Sequence, residues 1–364
     1  MLKTMLNKRL DRRSVLSTMS MAAAVTAAGG WSNSARAAVA SEIVWGTNEA
    51  YGRPDMIAPF EKSSGTKVKT ELFSDPAELV TKLKSGGAGV HMLVDGSYHV
   101  KLSYADGVLQ PIDLANIPNA AQVLDEFKDV EGLSFDGKVY GVPIVWGTNS
   151  MIYRAKEVGG NLDDLGALFD PQFAGRISMP NGLFESLIVG AMYLGIKKPF
   201  AMNKDELNSV VDLLIKQKPM VRTYWNDIGD LKNLMATGEV IVGWGWQPVM
   251  ELRKDDIDVR WAHPKQGELG WYDANYLTKE AEGDVKTACE AFTNYLAGEV
   301  YGRILGEDTG YRTASKLAIS AMPEDLQKKL EITNPASFLK GATWFLNPED
   351  PPAYQAAWDR VLNA

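Results

Sequence analysis

Hydrophobic positions recur every second residue in some segments of the chain and every three to four residues in others, and the two patterns take turns. The segment "TKVKTELF" shows the first pattern and is predicted to be a strand, and the segments "EIVW" and "VHMLV", the latter a short apolar run, are also predicted to be strands. The second pattern opens at Pro54 and runs to about Lys62, and it returns after Asp75, which with Pro76 and Glu78 has the form of a helix-capping box. Strands that alternate with helices predict a parallel α/β arrangement.

The later part of the chain repeats this alternation. Strands are predicted for "RISMP", "EVIVGWGW" and "GWYDANYLT", and "FDGKVYGVP" predicts a hairpin that turns at Asp136 and Gly137. Helices are predicted near 183–194, 205–217, 228–236, 284–296 and 299–305, and in the C-terminal "AYQAAWDRVL". Two α/β regions of similar size indicate two lobes with a cleft between them, and ligands of open α/β sheets bind beyond the carboxyl ends of the strands.

Residues 1–37 differ from the rest of the chain and have the form of an export signal. Basic residues precede the weakly apolar run "SVLSTMSMAAAVTAA", and "SARA" then predicts cleavage after Ala37. The pair Arg12 and Arg13 resembles a twin-arginine signal, although Asp11 stands where that motif has Ser or Thr, so the general secretion route stays open. A surface amphipathic helix is the alternative interpretation. We expect an exported, periplasmic protein.

Charge and cysteine content narrow the choice of partners. The whole chain has a formal net charge of −8, and residues 1–37 carry six basic groups and one acid, so their removal leaves −13. An acidic surface repels nucleic acid and favours cationic partners. The single cysteine, Cys289, excludes an internal disulfide and is predicted to be a small buried side chain. We expect a monomer that binds no nucleic acid.

The sequence offers no constellation of catalytic residues. The histidines His91, His99 and His263 lack metal-ligand spacing, "GGAG" lacks the Lys-Ser/Thr of a phosphate-binding loop, and no G-x-S-x-G elbow is present. We therefore predict no catalytic residue, no cofactor and no metal. An exported enzyme remains an alternative, for which His99 is the residue to inspect.

Aromatic residues and carboxylates are concentrated at the ends of the predicted strands. In "GWYDANY" the period of two puts Trp271 and Asp273 on one face and Tyr272 on the other. A tryptophan face beside a carboxylate attracts an organic cation, whereas a single tryptophan is more often part of the core. Similar candidates occur elsewhere along the chain: Trp45, Glu49, Tyr51, Tyr98, Glu185, Trp244 and Trp246.

Several segments resemble the spermidine/putrescine-binding proteins of ABC transporters. They include "VWGTNEAYGRPDMIAPFEKSSGTKV", "GVLQPIDLANIPN", "GKVYGVPIVWGTNSMIYR", "LFDPQFAGRISMPNGLFESLIVGAMYLG", "LMATGEVIVGWGWQPVM", "ELGWYDANYL" and "EDTGYRTAS". They occur in the family's order over essentially the whole chain after residue 37. The resemblance implies an α/β, two-lobed periplasmic binding protein fold of type II, with two mixed sheets, a ligand cleft and a membrane permease as partner.

The resemblance also implies ligand-binding residues in the first lobe and at the crossing strands. Trp45 and Tyr51 match the first aromatic wall, and Glu49 is displaced by one residue from the family's Glu-Tyr pair. The remaining matches are the loop residues Ser97 and Tyr98, the pair Trp271 and Asp273 that would hold an ammonium group, and the late tyrosine Tyr311.

In the second lobe, Glu185 matches an amine-binding glutamate, and Trp244 or Trp246 matches the opposing wall. The family has an aspartate three residues before the glutamate, and here that position is Gly182. A long triamine needs several anions along its length, so this loss favours a diamine such as putrescine over spermidine. The implied lobes are residues 41–147 with 274–318, and 148–273 with 319–364.

Two alternative ligands stay open. A zwitterion such as γ-aminobutyrate requires an arginine in the cleft for its carboxylate, and Arg53, Arg222 and Arg312 are available. A ferric-ion binder would need clustered Tyr, His and Asp ligands, and the abundance of tryptophan argues against it because indole is a poor ligand.

Overall fold

The structure is a computed structural model that describes residues 40–364, except residues 74, 75, 87, 183, 340 and 341 and the side chains of 337 and 338. The predicted export signal and the predicted capping residue Asp75 lie outside the described residues. Within this part of the chain, no helix combines the length and the apolar character needed to cross a membrane.

The strands alternate with helices along the described chain. The strands are β1 (Glu42–Thr47), β2 (Lys67–Leu72), β3 (Met92–Gly96), β4 (Leu109–Gln110), β5 (Ser134–Phe135), β6 (Lys138–Val139), β7 (Gly141–Arg154), β8 (Ile177–Pro180), β9 (Val221–Trp225), β10 (Val242–Gly245), β11 (Val259–Trp261), β12 (Leu269–Thr278), β13 (Arg312–Thr313) and β14 (Thr343–Trp344).

The helices lie between and after these strands. They are α1 (Pro54–Ser64), α2 (Pro76–Lys84), α3 (Val100–Ala105), α4 (Ala155–Val158), α5 (Glu185–Tyr193), α6 (Lys204–Gln217), α7 (Ile228–Thr237), α8 (Gly283–Leu296), α9 (Glu299–Thr309), α10 (Lys316–Ala321), α11 (Glu324–Lys329), α12 (Pro335–Leu339) and α13 (Pro351–Asn363).

Local chemistry explains several boundaries. Pro54 begins α1, where the missing N–H of proline costs nothing, and Gly65 ends it with φ 80°. Asn203 caps α6 by accepting hydrogen bonds from the N–H groups of Asp205 and Glu206. Asp136 and Gly137 both have positive φ and join β5 to β6, which confirms the predicted hairpin.

In the described residues, twelve strands form one mixed sheet in the order β2-β1-β3-β12-β7-β10-β8-β9, with the other strands attached to β7 and β12. Strands β1, β2 and β3 are parallel, and so are β10, β8 and β9. The long strand β7 pairs with β12 near its start and with β10 near its end, and thereby belongs to both halves of the sheet. The predicted mixed α/β class is confirmed, and the two mixed sheets that were expected are joined through β7 into one.

The hydrophobic core lies in separate clusters on the two halves of the sheet. One cluster packs on β1, β3 and β12 and includes Trp45, Trp146 and Tyr272. Another packs on β8 and β10 with α5 and α6, and α13 contributes Trp358 to it. The carboxyl ends of the two parallel strand groups are therefore the places where a cleft residue would stand. The predicted lobe boundaries stay a prediction.

Candidate functional site

A cavity of about 290 Å³ lies beyond the carboxyl ends of β8, β9 and β10. Its walls are mainly aromatic, and its polar lining consists of a carboxylate and two amides. The lining residues are Tyr98, Trp225, Trp246, Trp271 and Phe345, then Asn149, Glu185 and Asn226, with Pro180 and Gly182. An apolar cavity with a few convergent polar groups is the usual form of a small-molecule site.

Glu185 is the carboxylate in this cavity, and the fold holds it in a fixed position. It is the first residue of α5, it is 4% exposed, and Phe184 before it adopts φ 58°. Its Oε1 accepts hydrogen bonds from Asn149 Nδ2 and Trp244 Nε1, both at 2.6 Å. Burial raises the pKa of Glu185, although these two hydrogen bonds act in the opposite direction. Since both bonds end on Oε1, Oε2 is the oxygen that can accept from a ligand.

Trp271 forms the wall next to Glu185. Its Nε1 donates to Asn149 Oδ1 at 3.0 Å, so Asn149 connects the indole to the carboxylate. The ring covers Gly147, its partner on β7, where an added Cβ would lie 2.3 Å from the indole. A side chain at Gly147 would therefore displace the wall.

Asp273 lies two residues further along β12 and is not itself one of the residues that line the cavity. Tyr51 donates to its Oδ2 at 2.6 Å. Burial raises the pKa of Asp273 from 3.8 to about 6, the Tyr51 bond lowers it, and the negative charge of Asp95 raises it further. A Cβ at Gly96 would meet the Tyr98 ring at 2.4 Å and Asp273 Oδ1 at 3.1 Å, so Oδ1 lies close to a cavity wall.

A series of aromatic rings connects the two carboxylates through pairwise contacts. The Tyr51 ring packs edge-to-face on Tyr311 at 5.6 Å, and Tyr311 packs in the same manner on Trp271 at 6.2 Å. A continuous series of contacts therefore runs from Asp273 through these rings and Asn149 to Glu185. An apolar wall with an anion at each end is complementary to an apolar chain with a cation at each end.

The structure brings together seven of the eleven residues expected at the site. Tyr98, Glu185, Trp246 and Trp271 line the cavity, and Tyr51, Asp273 and Tyr311 lie beside it. Tyr272, expected to pack away from the site, is fully buried and donates to the Glu131 carbonyl.

The other four candidates are not among the residues that line the cavity. Trp244 is fully buried and donates a hydrogen bond to Glu185 without lining the cavity. Strand β10 ends at Gly245, and of the two tryptophans it is Trp246, just after the strand, that lines the cavity. Glu49 is exposed in the turn after β1. The buried Ser97 hydroxyl has no hydrogen-bond partner among the described residues.

Trp45 is a core residue and does not form a cleft wall. It has no exposed surface, its Nε1 donates to Asn275 Oδ1 at 2.9 Å, and its ring packs on Phe292. Because β1 continues to Thr47, Trp45 stands two residues before the strand end and faces inward.

Trp45→Phe is expected to lower the free energy of unfolding by about 1–3 kcal/mol, because the buried Asn275 oxygen loses its donor. Ligand affinity should stay within about twofold of the original, a difference of no more than about 0.4 kcal/mol. Urea denaturation followed by tryptophan fluorescence measures the first quantity, and calorimetry measures the second. A large loss of affinity in a variant that remains stable would show that Trp45 contributes to ligand binding after all.

Several cavity residues were not anticipated from the sequence: Asn149, Pro180, Trp225, Asn226 and Phe345. Asn149 carries a detectable signal, since it is a polar residue inside the long apolar strand β7. Asn226 directly follows β9, at a strand end of the kind expected to hold ligand residues. Phe345 comes from a segment far along the chain, and local pattern gives no sign of it.

The groups required by the alternative functions are engaged elsewhere. Arg53 pairs with Asp55 and Asp308 at the surface, and Arg222 pairs with Glu239. The buried Arg312 pairs with Glu331 and lies over the Trp146 ring. None of these arginines lines the cavity.

His99 is buried and contacts Asp95, which also accepts from Ser103. The Ser103 hydroxyl is itself fully buried, so this group offers no accessible nucleophile. Among the described residues, no group of three His, Cys, Asp or Glu side chains is placed to hold a metal ion.

Comparison with known proteins identifies relatives over most of the chain. Residues 55–358 match the family model described as bacterial extracellular solute-binding protein. The putrescine-binding periplasmic protein PotF of Escherichia coli is 24% identical over 336 residues, which cover 85% of this chain and 88% of the relative. SpuD of Pseudomonas aeruginosa, also a putrescine-binding periplasmic protein, is 26% identical over 68% of this chain and 71% of its own length.

Solved structures show the same fold. The spermidine/putrescine ABC transporter substrate-binding protein PotD of Streptococcus pneumoniae superimposes with a TM-score of 0.78 at 20% identity, covering 89% of this chain and 98% of that one. This likeness confirms the predicted two-lobed periplasmic binding protein fold.

Proposed function

Because the chain belongs to the bacterial extracellular solute-binding protein family, we propose that it captures a diamine of the putrescine type for an ABC importer. The protein is exported, its signal is removed after about Ala37, and it works in the periplasm. The two lobes close around the ligand by a hinge motion, and the closed form delivers the ligand to the membrane permease.

The observation that carries this proposal is the series of contacts that joins Asp273 to Glu185 through an aromatic wall. Each carboxylate accepts its side-chain hydrogen bonds on one oxygen, which leaves the other for an ammonium group. The methylene chain of the diamine lies against Trp271. Cation–π attraction to the rings adds about 0.5–2 kcal/mol per contact.

Calorimetric titration of the mature protein tests the proposal. The panel is putrescine, spermidine, γ-aminobutyrate and a set of amino acids. Putrescine is expected to bind, and γ-aminobutyrate to bind more weakly because its carboxylate would meet Glu185 or Asp273 with no arginine in the cavity lining. No heat from any amine would reject the proposal, and preference for γ-aminobutyrate would favour a zwitterion binder.

Amine affinity is expected to fall as the pH drops through about 6, since burial raises the pKa of Asp273 to about 6 and that of Glu185 in the same direction. The ammonium groups stay charged throughout this range, so the loss follows protonation of the carboxylates. The fall should be about tenfold between pH 7.5 and 5. Binding at pH 5–6 should release protons, which titrations in buffers of different ionisation enthalpy detect. An affinity that is constant over this range would contradict the assignment.

A further inference from the structure

The cavity continues past Glu185 into an end that carries no charge. This end is formed by Pro180, Gly182, Trp225, Asn226 and Trp246, which stand at or just after the carboxyl ends of β8, β9 and β10. The Trp225 and Trp246 rings pack edge-to-face at 5.3 Å. A diamine held between Asp273 and Glu185 does not require this space, so its presence points to a longer ligand.

A short polar network orients the amide at this end. Asn226 Oδ1 accepts from Asn181 Nδ2 at 2.8 Å, and Asn181 Oδ1 accepts from Trp358 Nε1 at 3.2 Å. The indole N–H can only donate, so it fixes the orientation of both amides. Asn226 Nδ2 donates to no residue that the structure describes, and it is the group left to donate to a ligand.

Gly182 leaves room at the same end. A Cβ added there has no neighbour within 4 Å, and its φ lies outside the left-handed region. The position could carry a carboxylate without steric conflict, yet it carries none. A third ammonium group would therefore meet no anion among the residues that line this end of the cavity.

We propose that the ligand is a diamine with an uncharged acyl extension, of which the monoacetylated spermidines are examples. Its two ammonium groups bind Asp273 and Glu185, and its amide carbonyl accepts from Asn226 Nδ2. The acyl carbons pack on Trp225 and Trp246. This proposal rests on the proposed function and extends it to the third part of the ligand.

Tryptophan faces also attract cations, so spermidine is the strongest competitor. Spermidine and its acetylated forms share the same backbone and differ by one charge and one acyl group. The comparison between them isolates what the uncharged end recognises.

The experiment is calorimetric titration with putrescine, spermidine, N1-acetylspermidine and N8-acetylspermidine at pH 7.5. At least one acetylated isomer should bind about tenfold more tightly than both spermidine and putrescine, a difference of about 1.4 kcal/mol. Putrescine equal to the acetylated forms, or spermidine tightest of all, would overturn the proposal and leave diamine capture standing. Absence of binding by every amine would reject the proposed function as well.

Two variants locate the extension. Asn226→Ala changes an exposed residue and should weaken binding of the acetylated isomer more than binding of putrescine, so that the preference for the acetylated isomer is lost. An equal effect on putrescine, or no effect on either ligand, would overturn the assignment. Gly182→Asp should strengthen spermidine binding about tenfold and reverse its order with the acetylated isomer. If Gly182→Asp does not fold, the Asn226→Ala comparison decides alone.

Discussion

Glu185→Gln is expected to weaken diamine binding about 10- to 100-fold without disrupting the fold. A hydrogen bond to a charged group contributes about 1.5–3 kcal/mol, and the variant would also turn an N–H₂ group towards the ammonium. Glutamine keeps an oxygen that can accept from Asn149 and Trp244, so the supporting bonds can persist. Burial raises the pKa of Glu185, which means that ionisation there opposes folding, and a neutral side chain should not lower the melting temperature.

Glu49→Gln provides the matched control for this experiment. Glu49 was also a candidate from the sequence, but it is exposed in the turn after β1. The same chemical change there should leave affinity within about twofold, a difference of no more than about 0.4 kcal/mol. Calorimetry on both variants with putrescine measures the difference, and unchanged affinity in Glu185→Gln would place the ammonium group elsewhere.

The residues that the sequence predicted well are those fixed by strand periodicity. Trp271, Tyr272 and Asp273 occupy the faces that a period of two assigns them, because they lie within a strand that is paired on both sides by β3 and β7. Near strand ends the same reasoning fails. Trp45 was expected at the end of β1, but the strand continues to Thr47, so Trp45 lies two residues inside it. The hydrophobic pattern does not show where this strand ends.

The cavity itself could not be predicted from local pattern. Asn149, Asn226 and Phe345 come from three segments far apart in the chain, and the packing of both halves of the sheet brings them together. The supporting bonds have the same origin, because the Trp244 indole reaches Glu185 across 59 positions of sequence. Periodicity identifies strands and their faces, whereas the identity of the neighbour across a sheet depends on tertiary packing.

The polar groups of the site fall into two sets: the carboxylates that are proposed to bind the ligand, and the donors that hold these carboxylates in position. Asn149, Trp244 and Tyr51 each donate to a carboxylate and hold it in place. Because these carboxylates are already held in place, less side-chain entropy is lost on ligand binding than if they were mobile. The hydrogen bonds from these donors also offset part of the desolvation cost of the two buried carboxylates. A bound cation would offset the remainder.

Asp273→Asn is expected to weaken diamine binding by more than tenfold and, at the same time, to stabilise the ligand-free protein. The first effect follows from loss of the charge that pairs with an ammonium group. The second follows from burial, which raises the pKa of Asp273 from 3.8 to about 6 and so makes its ionised form unfavourable in the folded state. A shift of this size corresponds to at most about 3 kcal/mol, and partial exposure of the side chain reduces it.

The pH dependence separates this effect from a general change in packing. The penalty for ionised Asp273 is complete above pH about 6, decreases as the pH falls towards 3.8, and is absent below that value. The stability gain of Asp273→Asn should therefore be largest at pH 7–8 and small near pH 4. Urea denaturation at both pH values measures it, with the exposed Asp212→Asn as control. A variant that binds putrescine normally, or that is destabilised at pH 7–8, would make Asp273 a structural residue, because a carboxylate kept for binding should be costly to the empty protein.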